Sequence, residues 1–342
     1  MRHDEPMPVI TLARRSFLLG LATLPSLGTS DDALALPHPA SELIGTLRHH
    51  LTRPEDTLLD LAVQNDLGIL ALSAANPGVD AWVPGADRLI TLPTRHVLPD
   101  GPRDGMIINK AELRLYYFQK GGPVITHAIG VGREGFDTPV GETRIVRKAK
   151  DPVWRPTEST RRDRPELPAA VPPGPENPLG NRALYLGWPT YLIHGTNKPY
   201  GVGRLVSRGC IRMYPASVER LFEQVPVGTR VTVVEQPIKL GWDGGELHLQ
   251  AYPDTAQLEE LEETYGFMPK PGEVAPTVLE RIRARAGGSV DRVDWKVVEA
   301  ELVARRGIPV QITGAKAPVA ELPTPHAASA RAELPTAPVG LY

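Results

Sequence analysis

Apolar positions recur along this chain at two different periods. Between His49 and Pro93, Leu58, Leu61 and Ala62 follow at helical spacing behind Asp56 and Thr57, both suited to cap a helix. A second short helix is predicted over Ile69–Ala75, stopped by Asn76-Pro77-Gly78, and Arg88–Leu92 alternates as a strand. From Met106 onward the period shortens to two. Met106–Asn109 and Leu113–Phe118 flank a turn at Lys110–Glu112, and Val124–Val131 follows the turn at Gly121-Gly122-Pro123. Further strands are predicted at Gly141–Val146, Leu184–Leu186, Tyr191–Ile193 and Arg230–Val234. This succession of short strands predicts a mostly β fold, a β-sandwich or barrel. Beyond it, Pro237–Ala251 reads as a hairpin turning at Asp243-Gly244-Gly245. Val278–Arg285 and Asp294–Arg306 read as helices separated by Gly287-Gly288.

Two stretches break the pattern. Asp151–Gly180 is dense in proline, and an irregular loop of that length inside a compact domain points to a lid or a cleft wall. Trp154, Leu167 and Leu179 argue against leaving it in water. From Ala315 the Ala/Pro-rich tail carries too little apolar content to fold alone and is predicted disordered. At the other end, Arg14-Arg15 precede a short apolar run, Phe17–Leu27, and the small-x-small pattern Ala33-Leu34-Ala35. That order of features predicts an export signal of the twin-arginine type and a working place in the periplasm or cell envelope.

Composition narrows the chemistry. With 36 prolines and 32 glycines in 342 residues, an all-helical bundle is disfavoured, and a net charge of -2 gives no support to nucleic-acid binding. No run is long and apolar enough for a membrane span. A single cysteine excludes an intramolecular disulfide framework and a zinc site built on several thiolates. The histidines show no ligand spacing, so neither a metal nor a cofactor is expected.

The informative window runs from Ile193 to Met213. His194 and the lone cysteine, Cys210, lie 16 residues apart across a glycine-punctuated loop that can fold back on itself. A Cys–His pair suits acyl transfer, because the thiolate attacks and the imidazole takes and returns its proton. Lys198, Arg204, Arg208 and Arg212 fall in this window without an acidic residue, a field expected to favour the thiolate and to attract carboxylates. The competing reading is a buried structural thiol. Flanking glycine and arginines, and an oxidising compartment in which an idle thiol is a liability, favour the nucleophile. Ser207 lacks the Gly-x-Ser-x-Gly elbow of a serine nucleophile.

The segments His194-Gly195-Thr196 and Ser207-Arg208-Gly209-Cys210-Ile211-Arg212 resemble the signature of the L,D-transpeptidase family, whose catalytic unit is the YkuD domain. The likeness extends from about Arg103 to Glu235 and is to the family's periplasmic branch. Glu55-Asp56-Thr57-Leu58, Leu72–Pro77 and Leu89–Pro93 are in turn similar to the LysM domain, a small glycan-binding module. Beside the export signal at 1–35, the resemblances imply a small α/β LysM-like unit at 46–94 and a YkuD-type catalytic domain at 103–235. A small α/β C-terminal appendage at 236–312 and a disordered tail at 315–342 complete the plan. They also imply a role for each residue of the window. Cys210 would attack the L-centre carbonyl of the third stem residue of peptidoglycan, a diaminopimelate, and expel D-alanine. His194 would activate the thiol, and the Gly195 carbonyl would orient the imidazole. Backbone N–H groups around Gly209 and Cys210 would form the oxyanion hole. Arg208 and Arg212 would meet stem-peptide carboxylates, with Ser207 and Thr196 completing the substrate-binding loop. The acceptor stays open: diaminopimelate of a second stem (3-3), an L-alanine amine (1-3), or an envelope protein. So do hydrolysis or D-amino-acid exchange through the same acyl-enzyme, and a noncatalytic peptidoglycan-binding role.

Overall fold

A computed structural model describes residues 41–132, 135–264, 269 and 274–314. The expected export signal and tail lie outside the described residues. The chain opens with strands β1 (Leu43–Ile44) and β2 (Arg48–Leu51), helices α1 (Leu58–Gln64) and α2 (Ile69–Ala75), and strands β3 (Leu89–Leu92) and β4 (His96–Val97). Thr57 caps α1 as its sequence suggests, its side chain accepting from the Asp60 N–H. Antiparallel β2 and β3 pair behind the two helices.

The next strands are β5 (Gly105–Asn109), β6 (Arg114–Phe118), β7 (Val124–Gly132) and β8 (Gly141–Lys150). A short helix α3 (Glu158–Asp163) follows, then β9 (Arg182–Leu186), β10 (Leu192–His194), β11 (Leu205–Ser207) and β12 (Ile211–Met213). Helix α4 (Pro215–Gln224) and strand β13 (Arg230–Val234) complete this region. The sheet order is β11-β7-β12-β10-β9-β8-β13-β5-β6, and β6 pairs back onto β7, which closes it into a barrel. Closure leaves few free edges and settles the sandwich-or-barrel question. The alternation of side chains explains why all of β6 is buried. Leu115 and Tyr117 join Met106, Ile108, Ile129, Ile193 and Ile211 in one core, while Tyr116 and Phe118 on the other face are covered with Ile107 by Ile44, Leu98 and Val234.

The remainder is a hairpin of β14 (Ile238–Asp243) and β15 (Glu246–Ala251), helices α5 (Thr255–Thr264), α6 (Pro276–Ala286) and α7 (Trp295–Ala304), and β16 (Val310–Gln311). Leu240, Leu247, Leu249, Ile282, Val298 and Ile312 form a second core here. Helix α5 does not share it. Its Leu258 and Leu261 pack instead in the first core, together with Leu70 and Leu72 of α2.

A buried ion pair joins the hairpin to the barrel. Lys239 Nζ donates to Glu112 Oε2 at 2.7 Å, to Val97 O at 2.5 Å and to the Tyr116 hydroxyl at 3.0 Å. Glu112 also accepts from Asn109 Nδ2 at 2.8 Å and from Tyr116 at 2.9 Å. Burial pushes the Lys239 ammonium down to about 8, against the pull of Glu112. Removing one charge strands the other in the interior. Glu112→Gln is therefore expected to cost about 3–5 kcal/mol in a urea titration, with much of it recovered by adding Lys239→Met. Equal stabilities for Glu112→Gln and wild type would refute this account.

Candidate active site

The two residues singled out by sequence are brought together by one strand pairing. β10 runs parallel to β12, with Ile193 opposite Ile211 and His194 opposite Arg212. Side chains alternate along a strand, so the two isoleucines enter the core while His194 and Arg212 share the other face. Cys210 precedes Ile211 by one residue and so lies on the His194 side. A parallel pair needs a crossover, and residues 195–210, including β11 on the end of β7, supply it.

Two glycines make the crossover sterically possible. Gly203, at φ +79°, packs so closely on Gly68 at the start of α2 that an added Cβ would come within 2.1 Å of Gly68 Cα. Gly209, at φ +94°, sits beneath Tyr191, where a Cβ would meet the ring at 2.7 Å. The first helix supports the same loop, since the Tyr200 hydroxyl donates to Asp60 Oδ1 at 3.0 Å.

Around the thiol the hydrogen bonds are specific. His194 Nδ1 lies 2.6 Å from the Gly195 carbonyl. A carbonyl only accepts, so Nδ1 carries the proton and Nε2 is left as the basic nitrogen. Cys210 Sγ donates to the carbonyl of Thr190 at 3.4 Å. Thr190 holds φ +70°, a strained setting for a β-branched residue. Ser207 Oγ donates to the Cys210 carbonyl at 2.5 Å and accepts from the Gly209 N–H at 3.1 Å. That bond engages the Gly209 N–H within the loop. Thr196 likewise serves a turn, accepting from the Lys198 N–H at 2.9 Å.

The electrostatic expectation also changes. Arg204 is buried against Glu262 of α5, bonding it through Nε at 2.5 Å, and Arg208 pairs with Asp163 of α3 and stacks over Phe136. Two of the four positive charges in the window are thus neutralised from elsewhere in the chain. Arg212 has no ion-pair partner among the described residues and faces both His194 and Cys210. Burial pushes His194 down to about 3, and Arg212 adds to the effect. Burial also raises the Cys210 thiol, outweighing Arg212 and a bond to the Leu192 backbone. The resting pair is a neutral imidazole and a neutral thiol, not the thiolate that local charge suggested. Iodoacetamide labelling of Cys210 at pH 7 should accordingly be several-fold slower than that of an ordinary exposed thiol and should still be climbing at about pH 9. A labelling rate that levels off near neutrality would contradict this.

The proline-dense segment reaches the site. Trp154 and Val171 exchange backbone bonds of 3.0 and 2.8 Å, which close its neck, and Asn177 fastens its return through Pro152 O at 2.7 Å. Between them α3 places Asp163 on Arg208. Among the described residues the buried Arg208 Nη1 has no hydrogen-bond partner, a donor suited to a carboxylate. The Thr138 hydroxyl donates to the Gly209 carbonyl at 2.9 Å and accepts from the Gly132 N–H at 3.1 Å, bracing the loop under Cys210.

A closed barrel presenting a histidine and a lone cysteine from paired parallel strands has the build of a cysteine acyltransferase. Comparison with known proteins agrees: residues 103–233 match the family model of the YkuD L,D-transpeptidase catalytic domain. The chain belongs to the L,D-transpeptidase family. It is 36% identical over 287 residues to the probable L,D-transpeptidase YbiS of Escherichia coli K12, covering 81% of this chain and 90% of that protein. To the probable L,D-transpeptidase ErfK/SrfK of the same strain it is 37% identical over 310 residues, covering 87% and 95%. Among solved structures, the catalytic domain of an E. faecium L,D-transpeptidase acylated by ertapenem aligns over 40% of this chain and all of that one. The identity is 22% and the TM-score 0.32.

Proposed function

We propose that this transferase works in the periplasm or cell envelope on peptidoglycan stem peptides, with Cys210 as nucleophile and His194 as general base. The observation that carries the reading is the tautomer of His194: its Nδ1 proton is held by Gly195 O, which leaves Nε2 to take the thiol proton. As the Cys210 Sγ–C bond forms at the third stem residue, the bond to the terminal D-alanine breaks. The proton taken from the thiol passes through the imidazole to the departing amine. Neither charged form need accumulate beforehand, which suits a site that disfavours both. With the Gly209 N–H engaged, the Cys210 N–H is the candidate oxyanion donor. Arg212 and Nη1 of Arg208 meet stem carboxylates, while Ser207, Thr196 and Thr138 hold the loop.

An acceptor amine then resolves the thioester, and diaminopimelate of a second stem gives a 3-3 link. An L-alanine amine or an envelope protein would use the same intermediate. Residues 46–94 fit the companion role of a LysM-like glycan-binding unit, presenting Trp82 half exposed at their surface. Incubation with defined muropeptides and mass spectrometry tests the reading. Dimers with loss of D-alanine are expected; shortened monomers alone would establish hydrolysis instead.

A further inference from the structure

A groove on the barrel has no part in the chemistry described so far. Its volume is about 880 Å³, within the range of ligand sites, and it runs from Phe118 and Lys120 past Arg230 and Arg144 to Gly187 and Trp188. In the antiparallel pairing of β8 with β13, Arg144 stands directly opposite Arg230. Like charges in that position repel, because their Cβ atoms are only about 5 Å apart. Both side chains are exposed, and neither has an ion-pair partner among the described residues. Lys120 adds a third positive charge, against Asp104 and Glu142. Two guanidinium groups set side by side without an acid between them suit a carboxylate, which each can bind through two N–H groups.

The groove also leads toward the nucleophile. The Gly187 N–H donates to the Arg144 carbonyl at 2.9 Å, so Arg230, Arg144 and Gly187 form a row across three neighbouring segments. Three residues further along, the Thr190 carbonyl holds the Cys210 thiol. Those three residues span at most about 11 Å, about the length of an extended tripeptide. We propose that Arg144 and Arg230 clamp a carboxylate of the acceptor peptide, laying it along the groove with its amine directed at the thioester on Cys210. In that step the amine nitrogen bonds to the thioester carbonyl and the C–S bond breaks. The proton lost by the amine returns to sulfur through His194.

This inference rests on the transpeptidase reading, and its test separates the two. The Arg144→Ala/Arg230→Ala double variant is compared with wild type for thioester formation from a tetrapeptide donor and, in the same samples, for transfer to a tripeptide ending in diaminopimelate. Such a tripeptide has no terminal residue to lose and serves only as acceptor. The ratio of transfer to acylation at low acceptor is expected to fall roughly tenfold or more, with thermal stability held or raised as the repulsion disappears. Calorimetry on Cys210→Ala protein gives an independent readout. The tripeptide should bind about tenfold more tightly with its carboxylates free than amidated, and the double variant should lose that preference. Unchanged transfer ratios or an unchanged preference would overturn the clamp. If wild type formed no thioester at all, the transpeptidase reading would fall and calorimetry alone would decide the groove.

Discussion

Cys210→Ala is expected to abolish acyl transfer, reducing it by about 10⁴-fold or more, because no other nucleophile stands on the His194 face of the β10–β12 pair. The same change should eliminate the mass adduct that a carbapenem is expected to leave on the wild-type protein. Fold and stability should hardly change, since the thiol makes only weak bonds, to the Thr190 carbonyl and the Leu192 backbone. Cys210→Ser is a sharper comparison. It keeps a hydroxyl in place, yet the neutral imidazole must then deprotonate a far weaker acid, so transfer should remain undetectable. Full carbapenem labelling of Cys210→Ala would sink the assignment of the nucleophile.

His194→Ala is expected to slow acylation by about 10²–10⁴-fold, the usual contribution of a positioned general base. The pH profile distinguishes this role from a structural one. Because burial holds His194 near 3, the wild-type base is unprotonated throughout the range from about pH 5 to 8. Its kcat/KM should therefore show no acid limb near 6.5, the value of an ordinary histidine. In His194→Ala the residual rate should follow the thiolate population and climb toward the raised pKa of Cys210. A wild-type acid limb centred near 6.5, or a variant whose profile parallels that of wild type, would remove His194 from the proton transfer.

Much of this site was legible before any coordinates. Leu58, Leu61 and Ala62 announced α1, and the short alternating runs from Met106 announced a mostly β fold, sandwich or barrel, because a period of 3.6 or 2 is written into neighbouring residues. Strands β11 and β12 were not legible as strands. Three residues each are too few to show a period, and glycines and arginines surround them. Helix α5 was missed as well, and its Leu258 and Leu261 show an apolar face only once α2 is seen beside it. The Thr138 brace has no local signal, since its partner Gly209 lies 71 positions away.

By itself the sequence determined which residues are proposed as nucleophile and base, Cys210 and His194. One cysteine, one signature and a glycine-rich crossover admit few alternatives. The state of those groups was decided by tertiary structure alone. The sequence window is uniformly basic, yet Arg204 is answered by Glu262, 58 residues away, and Arg208 by Asp163, 45 residues away. Burial, which no local pattern reports, makes His194 and Cys210 neutral. Strand register sets Arg144 against Arg230. Periodicity is a property of adjacent residues, whereas charge, desolvation and register are properties of whatever the closed barrel brings alongside.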